Sequence, residues 1–141
     1  MHYHAEVYIP EKFAFARQVD SILRLHNETR NLFDWYQIGG RWKGVHVAEY
    51  DQDRDPDNIA AKQNRIKWPT EWKHHEKDII AVGDLPAVFE CYTLIFSLEI
   101  LTTEKWNGVT YEKTEFSGLV IPELHKRKIV AGYLVTVDYH T

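Results

Sequence analysis

Polar and apolar residues alternate along the first strand-length stretch of the chain. Tyr3, Ala5, Val7 and Ile9 fall on one side of an extended backbone, and His2, His4, Glu6 and Tyr8 on the other. That period of two predicts a half-buried strand. Pro10 ends it. Phe15, Val19, Ile22, Leu23 and His26 then recur at helical spacing, predicting an amphipathic helix from about Glu11 to about Asn27, closed by the polar run Asn27-Glu28-Thr29-Arg30-Asn31. His26 on the apolar stripe reads as a buried or snorkelling core histidine. At the other end, Ile129–Thr141 predicts a final strand with Tyr133, Val135, Val137 and Tyr139 on its apolar face and Thr136, Asp138 and His140 on the other.

Between these ends the pattern loses its period. Residues 31–86 hold a Gly-Gly segment, a short strand expected at Val45–Tyr50, the charged run Asp51–Asp57, and a short helix expected from Asp57 or Asn58 through Arg65. All the tryptophans except Trp106 lie here, which predicts a packed loop region; long ordered loops of this kind are usually functional. Val88–Leu101 is rich in β-branched and aromatic residues, and Asn107-Gly108 between two such runs is a strong hairpin signal. Pro122–Lys128 reads as a short helix or a basic turn. The order predicts one α+β domain, an antiparallel sheet with the helix on one face. The expected topology is ferredoxin-like, related to βαββαβ, with a long ordered loop insertion. In it the first and last strands are antiparallel neighbours.

A chain of 141 residues fits a single domain over residues 1–141, and 44% hydrophobic with 27% charged residues is an ordinary globular balance. A formal net charge of −4 argues against general nucleic-acid binding, which needs a basic surface. The single Cys91 excludes an internal disulfide framework, and its neighbours Phe89, Tyr92 and Leu94 predict an inert core thiol. With no long apolar run and no signal-peptide pattern at the start, a cytoplasmic protein without membrane association is expected.

The densest chemistry lies in Asp34-Trp35-Tyr36-Gln37-Ile38-Gly39-Gly40-Arg41-Trp42-Lys43-Gly44. Paired glycines admit a close partner, successive N–H groups can cradle an anion, and Arg41 offers a planar fork to phosphate or carboxylate. Trp35, Tyr36 and Trp42 supply faces on which a base or sugar can stack. The segment therefore reads as a ligand site of Trp35, Tyr36, Gly39, Gly40, Arg41 and Trp42, with Lys67 and Trp68 closing it. The structural alternative is a tight turn pinned by its aromatics, with Arg41 in an ion pair. A second constellation follows from the predicted topology: His2, His4, Asp138 and His140 share one corner of the sheet. Such a set suits zinc, or acid–base work on a phosphoester, whereas frayed, solvated termini are the plainer reading. His74-His75 reads as a solvated loop, and Lys126-Arg127-Lys128 as a solvated basic turn. Nucleophile elbow, P-loop, dinucleotide fingerprint and paired HxT motifs are all missing.

Trp35-Tyr36-Gln37-Ile38-Gly39-Gly40-Arg41-Trp42, Asp55-Pro56-Asp57-Asn58-Ile59, Lys67-Trp68-Pro69-Thr70-Glu71-Trp72 and Val137-Asp138-Tyr139-His140 together resemble a group of uncharacterised proteins from bacteriophages and actinobacteria. That group typically reads D-W-Y-x-I-G-G-R-W, D-P-x-N-I, K-W-P-T-x-W and V-D-C-H. The chain departs from it twice. Residues 60–66 carry no cysteine where many members have a DnaJ-like zinc-binding insert, and Tyr139 stands where the closing motif has cysteine. The resemblance brings no activity with it, but implies a phage accessory protein. The leading expectation is thus a binding protein that captures a small anionic, nucleotide-like ligand, such as a host immune signal, in a counter-defence role. The alternatives are a phosphoester hydrolase using the His/Asp corner, and a protein inhibitor of a host nucleic-acid-acting defence enzyme.

Overall fold

The computed structural model describes residues 1–47, 50–55, 75–86, 89–106, 108–113 and 120–141. Two long strands organise it. β1 (His2–Ile9) and β8 (Tyr133–His140) pair antiparallel over their whole length, from His2 opposite His140 to Ile9 opposite Tyr133. Between them in sequence lie α1 (Phe15–Arg30), β2 (Trp35–Ile38), β3 (Ile79–Ala81), β4 (Thr93–Ile95), β5 (Ile100–Thr102), β6 (Glu104–Trp106), β7 (Tyr111–Lys113) and α2 (Val120–Lys126). The main sheet runs β2-β8-β1-β4-β5, with β3 also on β8. β1 and β4 are parallel; the other pairs are antiparallel.

The fold is therefore α+β, with first and last strands adjacent as the alternation predicts. Its strand order shares with a ferredoxin-like arrangement the antiparallel β8–β1 pair and a parallel neighbour on β1's far edge. It differs in that β5, the strand beyond that neighbour, follows β4 in sequence instead of preceding it.

The helix begins later than the periodicity predicts, because residues 12–14 turn first and Ala14 takes φ 50° before Phe15. The Gln18 side chain donates to the carbonyls of Glu11 and Phe13 and closes that turn. Asn31, also left-handed, ends the helix. Phe15, Val19 and Leu23 pack on Ala5, Val7, Ile9, Val135 and Val137, while His26 Nε2 bonds the Phe96 carbonyl (2.7 Å) as a satisfied core histidine. α2 lays Val120 and Leu124 against Leu94, Leu134, Phe89 and Cys91 on the opposite face.

Several local expectations change. Residues 43–47 form turns, so no strand starts at Val45; glycine and Lys43 interrupt any alternation there. The expected helix after Asp57 lies outside the described residues. The Val88–Leu101 run divides into β4 and β5 around a turn in which Phe96 N donates to Glu99 O. β6 and β7 form the hairpin expected around Gly108. Among the described residues no helix is long and apolar enough to cross a membrane.

Candidate functional site

On β8's outer edge, β2 pairs with residues 137–140 and β3 with residues 133–135. The Gly39-Gly40 turn fills the gap between them, where Gly39 N donates to the Thr136 carbonyl (2.8 Å). Two buried carboxylates flank it. A Cβ on Gly39 would lie 2.6 Å from Asp78 Oδ1, and one on Gly40 would lie 2.5 Å from Asp138 Oδ2. Both glycines have positive φ, 79° and 54°, which L side chains adopt at a cost. Glycine is required here by the backbone and by the neighbours together.

This geometry revises how the turn could meet an anion. Arg41 N donates to Asp138 Oδ2 (3.0 Å), Trp42 N to Gly39 O and Lys43 N to Gly40 O. The protein's own acceptors thus occupy N–H groups that a phosphate cradle would need. Asp138 also takes His2 Nδ1 on its other oxygen (2.7 Å) and is almost fully buried. Arg41 itself is exposed.

Because β2 alternates, its residues divide. Trp35 and Gln37 lie opposite His140 and Asp138 on the site's face; Tyr36 and Ile38 lie on the helix face. Tyr36 packs in the core beneath α1 and its hydroxyl donates to Asp20. Burial, with that carboxylate, pushes its phenol well above the ordinary tyrosine range. Tyr36 is a structural residue, and its expected place among the stacking rings is corrected by the strand's alternation.

The corner holds a compact aromatic group. Trp35 stacks on His140 at 5.4 Å and 4°, and His2 meets both rings edge-on. Trp35 is nonetheless 44% exposed. The Met1 backbone nitrogen donates to His140 Nε2 (3.2 Å), which leaves the ring proton on Nδ1. That Nδ1 lies 3.4 Å from Asp34 Oδ2, inside ion-pair range, but makes no hydrogen bond. Gln37 Nε2, on the same face, is likewise buried without a hydrogen-bond partner. Buried polar groups are paired in the great majority of cases, so the Gln37 amide, a buried donor with no hydrogen-bond partner, points to something that accepts.

Of the four residues expected at a metal corner, His2, Asp138 and His140 come together, with the His2 and His140 rings 5.0 Å apart, and His4 turns to Glu6. His2 is held by Asp138, His4 Nε2 by Glu6 Oε2 (2.6 Å), and His140 by the Met1 nitrogen and Trp35. Among the described residues no three of His, Cys, Asp and Glu are grouped to hold a metal ion. Trp42 covers His4, ring on ring at 5.4 Å and 13°. Lys67 and Trp68 lie outside the described residues. Arg127 pairs with Glu99 and Glu123 and lies over the Phe96 ring, so it is a packed residue and not a solvated one.

Further along the same face is a group the sequence does not reveal. Glu6, fully buried, takes His4 on Oε2 and His46 on Oε1 (2.9 Å), with Thr136 Oγ1 donating to Oε2 (2.8 Å). Burial alone would raise its pKa; hydrogen bonds and charge from His4 and His46 outweigh that and hold it below the ordinary glutamate value. Beside Gly39, Asp78 Oδ2 takes Lys43 Nζ (3.1 Å) and His75 Nδ1 (3.0 Å), all three buried. His75 is therefore not in a solvated loop. The signal for Glu6 was its place two residues from His4 on one strand; nothing local marks Asp78, His75 or His46. Comparison of the chain with protein-family models, curated proteins and solved structures found no match.

Proposed function

We propose that the protein binds a small anionic, nucleotide-like molecule at the sheet corner formed by Trp35, Gln37, Arg41, His2 and His140. The observation that carries this reading is the buried Gln37 Nε2, a donor with no hydrogen-bond partner. It calls for an acceptor-bearing ligand, since leaving a buried donor unpaired costs roughly 1–3 kcal/mol. The partly exposed Trp35 supplies the face for a base, and the exposed Arg41 a fork for phosphate. The anion would be held by side chains, because acceptors within the chain take the turn's N–H groups. Such a site suits capture of a signalling nucleotide, which in a phage accessory protein would serve counter-defence.

Calorimetric titration with a panel of cyclic and linear nucleotides tests the reading. Wild type should bind at least one member. Arg41→Lys keeps the charge but loses the fork, and should bind about tenfold to a hundredfold more weakly with unchanged melting. Absence of binding across the panel, or a variant that melts lower but binds equally well, would make the corner scaffold.

A further inference from the structure

Three loops leave the sheet at the end opposite the corner. β1 and β4 run parallel and finish together, Val7 facing Ile95, and β8 begins beside them, Tyr133 facing Ile9. The turn into α1, the β4–β5 turn and the α2–β8 connection therefore share this end. Each carries a large apolar side chain in the open: Phe13 is 85% exposed, Leu98 87% and Val130 82%. Single exposed apolar residues are ordinary, but three on neighbouring loops at one end of a sheet mark an interaction surface.

Hydrogen bonds fix the loops that hold these side chains out. Ala14, next to Phe13, has φ 50°, and the Gln18 amide donates to the Glu11 and Phe13 carbonyls. Lys128, two residues before Val130, has φ 59°, and Ile129 N donates to the Leu124 carbonyl while its side chain packs inward. Leu98 sits in the turn closed by Phe96 N and Glu99 O (2.8 Å), and Glu99 is tied to Arg127 (2.6 Å) on the next loop. Residues other than glycine adopt positive φ at a cost and keep it where surrounding contacts enforce it.

The charges here run against the sign of the chain, whose formal net charge is −4. Lys12, Arg17, Lys126 and Lys128 are exposed on these loops and on the first turn of α1. Glu11 and Asp84 are exposed beside them, while Glu99 and Glu123 are matched by Arg127. Separate apolar side chains with cations around them suit a bilayer interface bearing anionic headgroups, which admits side chains at any spacing. A protein partner would need a pocket for each.

We propose that this end docks on the surface of an anionic phospholipid bilayer. Phe13, Leu98 and Val130 enter the boundary between headgroups and acyl chains, and the lysines and Arg17 pair with lipid phosphates. The corner lies at the other end of the sheet, where His2 faces His140, so docking is independent of ligand capture there.

Co-sedimentation with vesicles is the test. Wild type should bind vesicles of equimolar phosphatidylcholine and phosphatidylglycerol, bind pure phosphatidylcholine more weakly, and lose affinity for the mixed vesicles as salt rises. Phe13→Ser with Leu98→Ser changes only exposed side chains, so melting should stay near that of wild type while affinity for the mixed vesicles falls about tenfold or more. Lys126→Glu with Lys128→Glu should lower that affinity by about tenfold as well. Wild type that stays in solution with both vesicles overturns the proposal, as does a folded serine variant that binds as wild type does. Should the serine variant fail to fold, the lysine variant decides, and unchanged affinity rejects the proposal. A dimer in sedimentation velocity that the serine substitutions dissolve, in a protein that ignores vesicles, would assign the surface to a second copy instead.

Discussion

Glu6 shows at the scale of one residue how this fold departs from an apolar interior. Its carboxylate is fully buried and is kept ionised by two imidazoles and a hydroxyl. Removing one member of such a set leaves the others uncompensated, so Glu6→Gln should destabilise the protein by about 3–5 kcal/mol at neutral pH. The pH dependence has a definite sign. A carboxylate with a depressed folded pKa contributes stability above its unfolded value, near 4.5 for Glu6, and loses it as pH falls through the folded value. Thermal melts of wild type and Glu6→Gln should therefore converge as pH drops below the ordinary glutamate range. A constant gap would show that the charge of Glu6 is not what stabilises the cluster. The two glycines offer a second test. Gly39→Ala forces a methyl group towards Asp78 at a left-handed φ, and should cost more than about 1 kcal/mol. Combined with Asp78→Ala the two losses should fall short of their sum, since the collision is removed; a sum within error would place the strain elsewhere. Of these residues, the glycines announced a special backbone in the sequence. What they adapt to, two carboxylates distant in the chain, was not legible.

Among the elements, the two longest strands were the most readable. Strict alternation in β1 and β8, with an apolar stripe on the helix between them, is local information, and it put His2, His4, Asp138 and His140 at one corner of the sheet, where the strands pair. Short strands carry too few residues for a period to register. β3 and β4 have three residues each and depend on β8 and β1 for their pairing. The helix starts later than its periodicity suggests because the Gln18 side chain and a left-handed Ala14 hold an extra turn in front of it. Leu23, fully buried between α1 and the central strands, should cost about 2–5 kcal/mol when changed to alanine. Amides of β1 and β8, paired on both edges, should exchange slowest with solvent, at rates set by global unfolding. Exchange of β1 as fast as that of the outer β5 would contradict the sheet order.

At the scale of the molecule, the sheet has one apolar face under α1 and another that changes character along its length. Near Leu134 the second face is apolar; at Thr136, Asp138 and His140 it becomes polar, yet stays largely covered. The sequence presents these polar positions as the solvated side of a half-buried strand. They are covered because the segment after β2 folds back across them, a long-range event that no local periodicity encodes. A polar face buried at this cost, with the Gln37 amide left without a hydrogen-bond partner, is where local sequence pattern and fold disagree. The most direct measurement is NMR of the Gln37 side-chain amide and the His140 imidazole during addition of the nucleotide panel. At least one nucleotide should shift both sets of signals together and saturably, and Trp35→Ala should weaken the response. Signals that stay fixed under every nucleotide, in a protein that remains folded, would contradict ligand binding at the corner.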